Sequence, residues 1–274
     1  MAAIAAAFGR AAQAGRAAFM PYFTLGFPAP EASLAAVRAI APFSDLIELG
    51  LPFSDPLADG PTIQRSTQRA LEAGTTIASC LASVAALRSA GLEAPCLLMG
   101  YYNPILAYGQ ERFVAAAAEA GADGLIVPDL PPEEGAELAT EARAAGLGLV
   151  SFVAPTTRPE RLALILGAAT GFVYVVSLTG VTGARECLED NLEALVRRVR
   201  ANSGLPVAVG FGVSTPAQAA AVGRFADGVI VGSALIDAYA AAGNDPRAAA
   251  NFAQAMRAAL AVGRQPSSIR GLAT

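Results

Sequence analysis

The chain has 274 residues, 54% of them apolar and 15% charged, with a formal net charge of −4. That is long enough for one large α/β domain or two small ones, too apolar for a disordered chain, and the wrong charge for a nucleic-acid partner. There is no histidine, no tryptophan and no lysine, since all 19 basic residues are arginine. The composition therefore argues against an imidazole base, a zinc site and any lysine Schiff base.

The alanine-rich start, with Arg10 and Arg16 and no acid before Glu31, mimics a transit peptide but lacks serine. Ile4, Phe8 and Ala11 recur at helical spacing, which predicts an extra N-terminal helix. Short apolar runs then predict eight strands. They cover Phe19–Leu25, Leu46–Leu49, Cys96–Tyr101, Gly124–Val127, Leu149–Val153, Phe172–Ser177, Val207–Val209 and Val229–Val231. Most are continuously apolar, as strands buried on both faces should be. Between them, helical periodicity covers Pro30–Ile40, Ile77–Ala90, Gln110–Ala120, Pro132–Ala145, Pro159–Ala168, Leu188–Arg200 and Pro216–Val222. A short helix at Ala234–Tyr239 and a last one at Arg247–Leu260 follow. Thr157 and Ser214-Thr215 read as helix starts, and Gly91, Gly121, Gly146 and Gly223 as helix ends. Eight strand–helix units without a linker predict a single (β/α)₈ barrel domain spanning residues 1–274. An open doubly wound sheet would rarely need eight even units, and its dinucleotide fingerprint is missing.

No apolar run approaches the ~18 residues of a membrane span. Cys80, Cys96 and Cys187 form no CxxC and read as small buried side chains in a reducing, cytoplasmic setting.

A barrel carries its function on the loops that follow the strands. Gly180 and Gly183, Gly210 and Gly212, and Gly232-Ser233 follow the last three strands, where backbone N–H groups and a short helix can cradle a phosphate. Each pair alone reads more simply as a tight turn; three at the expected strand ends favour the cradle. Two acids follow from the second strand. Glu48 would be buried, with its proton affinity raised, and Asp59 lies eleven residues on in a loop able to fold over the mouth. Asp59 in ADGP, and Asp55 in SDP, also read as plain turn formers.

The segment IELGLPFSDPLADGPTIQ resembles the most distinctive motif of the tryptophan synthase α subunit family. PYFTLGFP, LMGYYNPI, GLIVPDLPPEE, FVAPTT, YVVSLTGVTG, PVAVGFGVSTP and ADGVIVGSA resemble it in the same order, over about Phe8 to Leu260. The resemblance implies the same barrel and a lyase that splits indole-3-glycerol phosphate into indole and glyceraldehyde 3-phosphate. It implies Glu48 as the general acid/base and Asp59 as the carboxylate facing the indole N–H. Tyr174 and Thr182 would support them, and Gly183, Gly212, Gly232 and Ser233 would bind phosphate. Tyr22, Met99, Tyr101, Val127 and Phe211 would line the indole pocket; Tyr22 departs from the family, where Phe is familiar. The resemblance further implies a β subunit that holds pyridoxal phosphate, in an α₂β₂ complex. It would dock on Asp55, Pro56, Asn103 and Pro104. This chain would hold no metal or cofactor of its own. A stand-alone indole lyase, or a silent barrel acting only through a partner, stays open at this point.

Overall fold

A computed structural model describes residues 1–177, 185–210 and 212–261, with the side chains of 185–190 outside that description. Eight strands run as β1 (Ala18–Thr24), β2 (Ile47–Gly50), β3 (Cys96–Met99), β4 (Gly124–Ile126), β5 (Gly148–Val153), β6 (Val173–Val176), β7 (Val207–Gly210) and β8 (Gly228–Val231). Each is parallel to the next, and β8 pairs with β1 to close the barrel. Every strand except β5 and the end of β6 is buried throughout, so the continuous apolar runs were a true signal.

The helices are α1 (Ala2–Gln13), α2 (Pro30–Ile40), α3 (Pro61–Glu72), α4 (Ile77–Ser89), α5 (Tyr102–Tyr108) and α6 (Gln110–Glu119). They continue as α7 (Ala136–Ala144), α8 (Pro159–Ala168), α9 (Arg185–Asn202), α10 (Pro216–Gly223), α11 (Ser233–Ala241) and α12 (Pro246–Ala259). Helices α3 and α5 were not expected from the periodicity; most of the others lie within a residue or two of it, with four further corrections. The helix expected from Pro132 starts at Ala136, because the N–H groups of Glu134 and Gly135 turn back to the Pro131 carbonyl. The one expected from Leu188 starts at Arg185. Thr157 does not cap α8; Arg158 holds that position, and the Thr157 hydroxyl accepts from the Ala154 N–H instead. Gly91, Gly121 and Gly146 do adopt left-handed φ after their helices, whereas Gly223 ends α10 without it, followed by a right-handed Arg224. Thr215 caps α10 as read, in a reciprocal pair with Gln218.

Helix α1 closes the amino end of the barrel. It buries Ile4, Ala7, Phe8 and Ala11, and the Phe8 ring meets Phe172 with centroids 5.6 Å apart. Glycine at the strand starts makes room for it: a Cβ at Gly228 would stand 2.9 Å from both the Phe8 ring and the Met20 sulfur. Phe8→Ala should therefore cost about 3–5 kcal/mol of stability in urea unfolding. A cost below ~1 kcal/mol would mean that the helix caps nothing.

Three Asp–Arg pairs tie the same end together. Asp45, Asp123 and Asp227, just ahead of β2, β4 and β8, accept the N–H groups of Phe19, Cys96 and Val207 at 2.8–2.9 Å. Each also pairs with an arginine: Arg16, Arg88 or Arg200. Strand N–H groups that the ladder leaves unpaired thus gain charged acceptors. Arginine suits this role because its rigid fork serves a carboxylate and nearby carbonyls at once.

Candidate active site at the carboxyl end of the barrel

The second residue of β2 is Glu48, level with Tyr22 on β1 and Leu97 on β3. Its side chain is fully buried, and neither carboxyl oxygen has a hydrogen-bond partner among the described residues. Burial pushes its pKa from the ordinary 4.5 to about 8. A carboxyl group kept without a donor is costly for folding, which makes Glu48 a candidate proton carrier.

Asp59 stands in the loop between β2 and α3, half-buried and held on several sides. The Tyr101 hydroxyl donates to its Oδ2 at 3.0 Å and accepts the Ala58 N–H at 2.9 Å. Asp59 N–H reaches the Pro56 carbonyl, and the Gln64 side chain donates to the Asp59 carbonyl at 2.9 Å. Burial raises the Asp59 carboxyl to about 6, while the Tyr101 bond pulls it down. The two acids thus titrate apart. Between roughly pH 6 and 8 Glu48 carries a proton and Asp59 a charge, which is the division of labour expected of an acid and a counter-charge.

Three phenols surround the pair. Tyr101 sits at the end of β3, tilted against Phe53 with centroids 5.4 Å apart. Tyr174 on β6 packs against Phe152 at 4.8 Å and reaches over Gly210, where a Cβ would come within 2.2 Å of its hydroxyl. Tyr22 reaches over Gly50 in the same way, at 2.0 Å. Burial raises the pKa of all three above the ordinary value, so they are neutral donors at physiological pH. Met99 and Val127, at the ends of β3 and β4, are buried in the same wall.

At the other side of the mouth, Gly232 precedes α11 and Ser233 is its first residue. Gly212 follows β7 with a φ of +87°, a conformation that requires glycine. Gly210, expected with them, is instead the last residue of β7 and lies under Tyr174. Thr182, Gly183, Gly180 and Phe211 lie outside the described residues.

The outer side of the Asp59 loop borders a surface cleft of about 780 Å³, lined in part by Phe53, Asp55, Pro56, Leu57 and Arg65. Leu57 is 92% exposed there. Asn103 and Pro104, expected in a loop, fall in the first turn of α5, where proline is tolerated. Tyr101 was read from sequence only as a wall of the pocket. Its grip on Asp59 had no signal in the sequence, because the two are 42 positions apart.

A family model described as tryptophan synthase alpha chain matches residues 8–263. The chain belongs to the tryptophan synthase alpha chain family. It is 58% identical over 238 residues to the alpha chain of Chloroflexus aurantiacus, covering 86% of this chain and 90% of that one. To the alpha chain of Acidiphilium cryptum it is 50% identical over 242 residues, 88% of each. Among solved structures, it resembles tryptophan synthase from M. tuberculosis in an aminoacrylate-bound form, with a TM-score of 0.86, 38% identity, and 94% and 99% coverage. The alpha subunit from Legionella pneumophila matches with a TM-score of 0.87 and 39% identity over 94% and 98%. Membership makes the chain a lyase of tryptophan biosynthesis. No single helix among the described residues is long and apolar enough to cross a membrane.

Proposed function

We propose that this chain, acting as one cytoplasmic barrel domain, cleaves indole-3-glycerol phosphate by a retro-aldol reaction with Glu48 as proton carrier. A retro-aldol step needs an electron sink, which other enzymes supply with a lysine iminium or a metal. Indole supplies its own. Protonated Glu48 gives its proton to indole C3, and the ring becomes an iminium with its positive charge toward nitrogen. Asp59, ionised and held by Tyr101, faces that charge and accepts the N–H bond. Glu48, now a carboxylate, removes the proton of the side-chain hydroxyl. The bond from C3 to the hydroxyl-bearing carbon then breaks, its electrons return to the ring, and an aldehyde leaves. Atoms balance as indole and glyceraldehyde 3-phosphate, with Glu48 reprotonated.

The observation that carries this reading is Glu48 itself, a buried carboxyl with no partner among the described residues, facing a mouth it shares with a second carboxylate. Tyr174 supports the ring side. Gly212, Gly232 and Ser233 would bind the phosphate, together with Gly183 as the family resemblance implies. Phe211 and Thr182 keep the pocket-lining and supporting roles implied there. Released indole passes to a β subunit, which holds the pyridoxal phosphate that this lysine-free chain cannot anchor, in an α₂β₂ complex. Asp55, Pro56, Asn103 and Pro104 are the contacts we assign to it, and the exposed Leu57 supports that docking face.

The test is indole release by the purified chain, with and without a β subunit. No cleavage in either case would move the chain to the silent barrel, and full speed alone would move it to the stand-alone lyase. A second expected outcome concerns pH. The rate constant kcat/KM should rise through about pH 6 as Asp59 ionises and fall above about pH 8 as Glu48 loses its proton. A profile flat from pH 5 to 9 would remove both assignments.

A further inference from the structure

Tyr22 does more than line the mouth. Its hydroxyl accepts from the Thr24 hydroxyl at 3.3 Å, and the Thr24 and Ser66 hydroxyls lie 2.7 Å apart. Ser66, on α3, also reaches the Ile63 carbonyl at 2.8 Å. Each hydroxyl owns one proton. With Ser66 donating to Thr24 and Thr24 to Tyr22, the phenolic proton of Tyr22 is left over, with no acceptor among the described residues. With Ser66 donating to the Ile63 carbonyl instead, Thr24 still donates to Tyr22 and the phenolic proton is again left over. The phenol oxygen is held by Thr24 in both arrangements, and only the Ser66 proton changes partner.

What that proton faces follows from the register. Tyr22 and Glu48 are level across β1 and β2. The phenol oxygen stands where a Cβ on Gly50 would be, and Gly50 shares a face with Glu48, two residues on. Two residues of strand rise about 6.6 Å, a gap that a glutamate side chain and one hydrogen bond of about 2.7 Å can span. Gly50 is what allows it, since any side chain there would displace the phenol. The other ionisable groups around Glu48 are Tyr101, Asp59 and Tyr174, and the Tyr174 phenol also feels the Glu48 charge. Tyr101 donates to Asp59, Asp59 is an acceptor, and Tyr174 lies over Gly210 on the β6–β7 side.

We propose that Tyr22 is a positioning residue for Glu48: its hydroxyl, fixed by Thr24 and Ser66, donates to the Glu48 carboxylate once substrate fills the barrel mouth. This rests on Glu48 being the proton carrier. The bond forms as Glu48 gives up its proton, so it stabilises the state that follows the first proton transfer and not the resting enzyme.

Tyr22→Phe keeps the ring and removes only the hydroxyl, and Thr24→Val keeps the hydroxyl but loosens it. Tyr22→Phe should lower kcat about tenfold with KM little changed. The alkaline limb of kcat should move up by about one pH unit, while that of kcat/KM stays near pH 8, because the free enzyme lacks the bond. Thr24→Val should shift the same limb in the same direction by less. A direct readout is ¹³C-carboxyl NMR of Glu48, assigned with Glu48→Gln, in protein saturated with indole and glycerol 3-phosphate. Glu48 should titrate about one pH unit higher in Tyr22→Phe than in the parent. Equal titration in the two would overturn the inference even if cleavage proceeds. Undiminished cleavage by Glu48→Gln would instead overturn the reading on which it rests.

Discussion

Glu48→Gln is expected to lower turnover of indole-3-glycerol phosphate at least about a hundredfold, the scale of a positioned acid/base, while making the fold more stable. The second half follows from the burial of the carboxyl. Its pKa is about 8 in the folded chain against an ordinary 4.5. Below pH 4.5 both states hold the proton and the group has no effect on folding. As pH rises toward 8, the unfolded chain releases the proton and the folded one retains it, so stability falls across that window. At pH 7 the loss is on the order of 3 kcal/mol. Glutamine cannot ionise and escapes it. Urea unfolding at pH 4.5 and pH 8 should show the variant equal to the parent at the lower pH and more stable at the higher. A gap independent of pH would mean that Glu48 is not held protonated. Asp59→Asn should lose turnover on the same scale, through the missing charge opposite the ring, with its loop kept in place by Gln64 and the Pro56 turn. Near-parent cleavage by either variant would remove that residue from the mechanism.

Saturating β subunit is expected to raise the rate at least tenfold over the isolated chain. The reason lies in how Asp59 is carried. Its loop is a surface turn whose exposed side, Asp55 and Leu57, lies within four residues of the carboxylate. A partner gripping that side would shift the loop toward the competent position, and tenfold needs only about 1.4 kcal/mol of preference for it. Indole is small and apolar, which also favours transfer to a docked partner over release. Titrating β subunit into the cleavage assay, with size-exclusion of the mixture, measures both effects. Pro56→Ala and Leu57→Ala should reduce activation more than the basal rate. Full speed alone, with no complex formed, would make the chain a stand-alone lyase.

The sequence by itself determined the barrel and the names of its two acids. Continuous apolar runs separated by helical periods leave few ways to bury eight strands, and the closed parallel barrel is the one that repeats evenly. Glu48 stood out because an acid at the end of such a run is costly unless it has a task or an arginine partner. The helices that escaped notice lacked an apolar signal of their own. Helix α3 buries Ser66 and Thr67 beside Ile63 and Ala70, so its inner face reads as polar, and α5 has seven residues and buries only Ile105. Tertiary structure alone decided what each acid experiences. Whether Glu48 finds a donor depends on the strands beside it, and none of its neighbours supplies one in the described residues. Asp59 is ordered by a phenol 42 positions away. Gly210 read as part of a phosphate cradle and Gly50 carried no signal of its own; only the closed barrel sets Tyr174 over the one and Tyr22 over the other. Periodicity records which face of an element is buried, but proton affinities are set by contacts between strands that only barrel closure brings together.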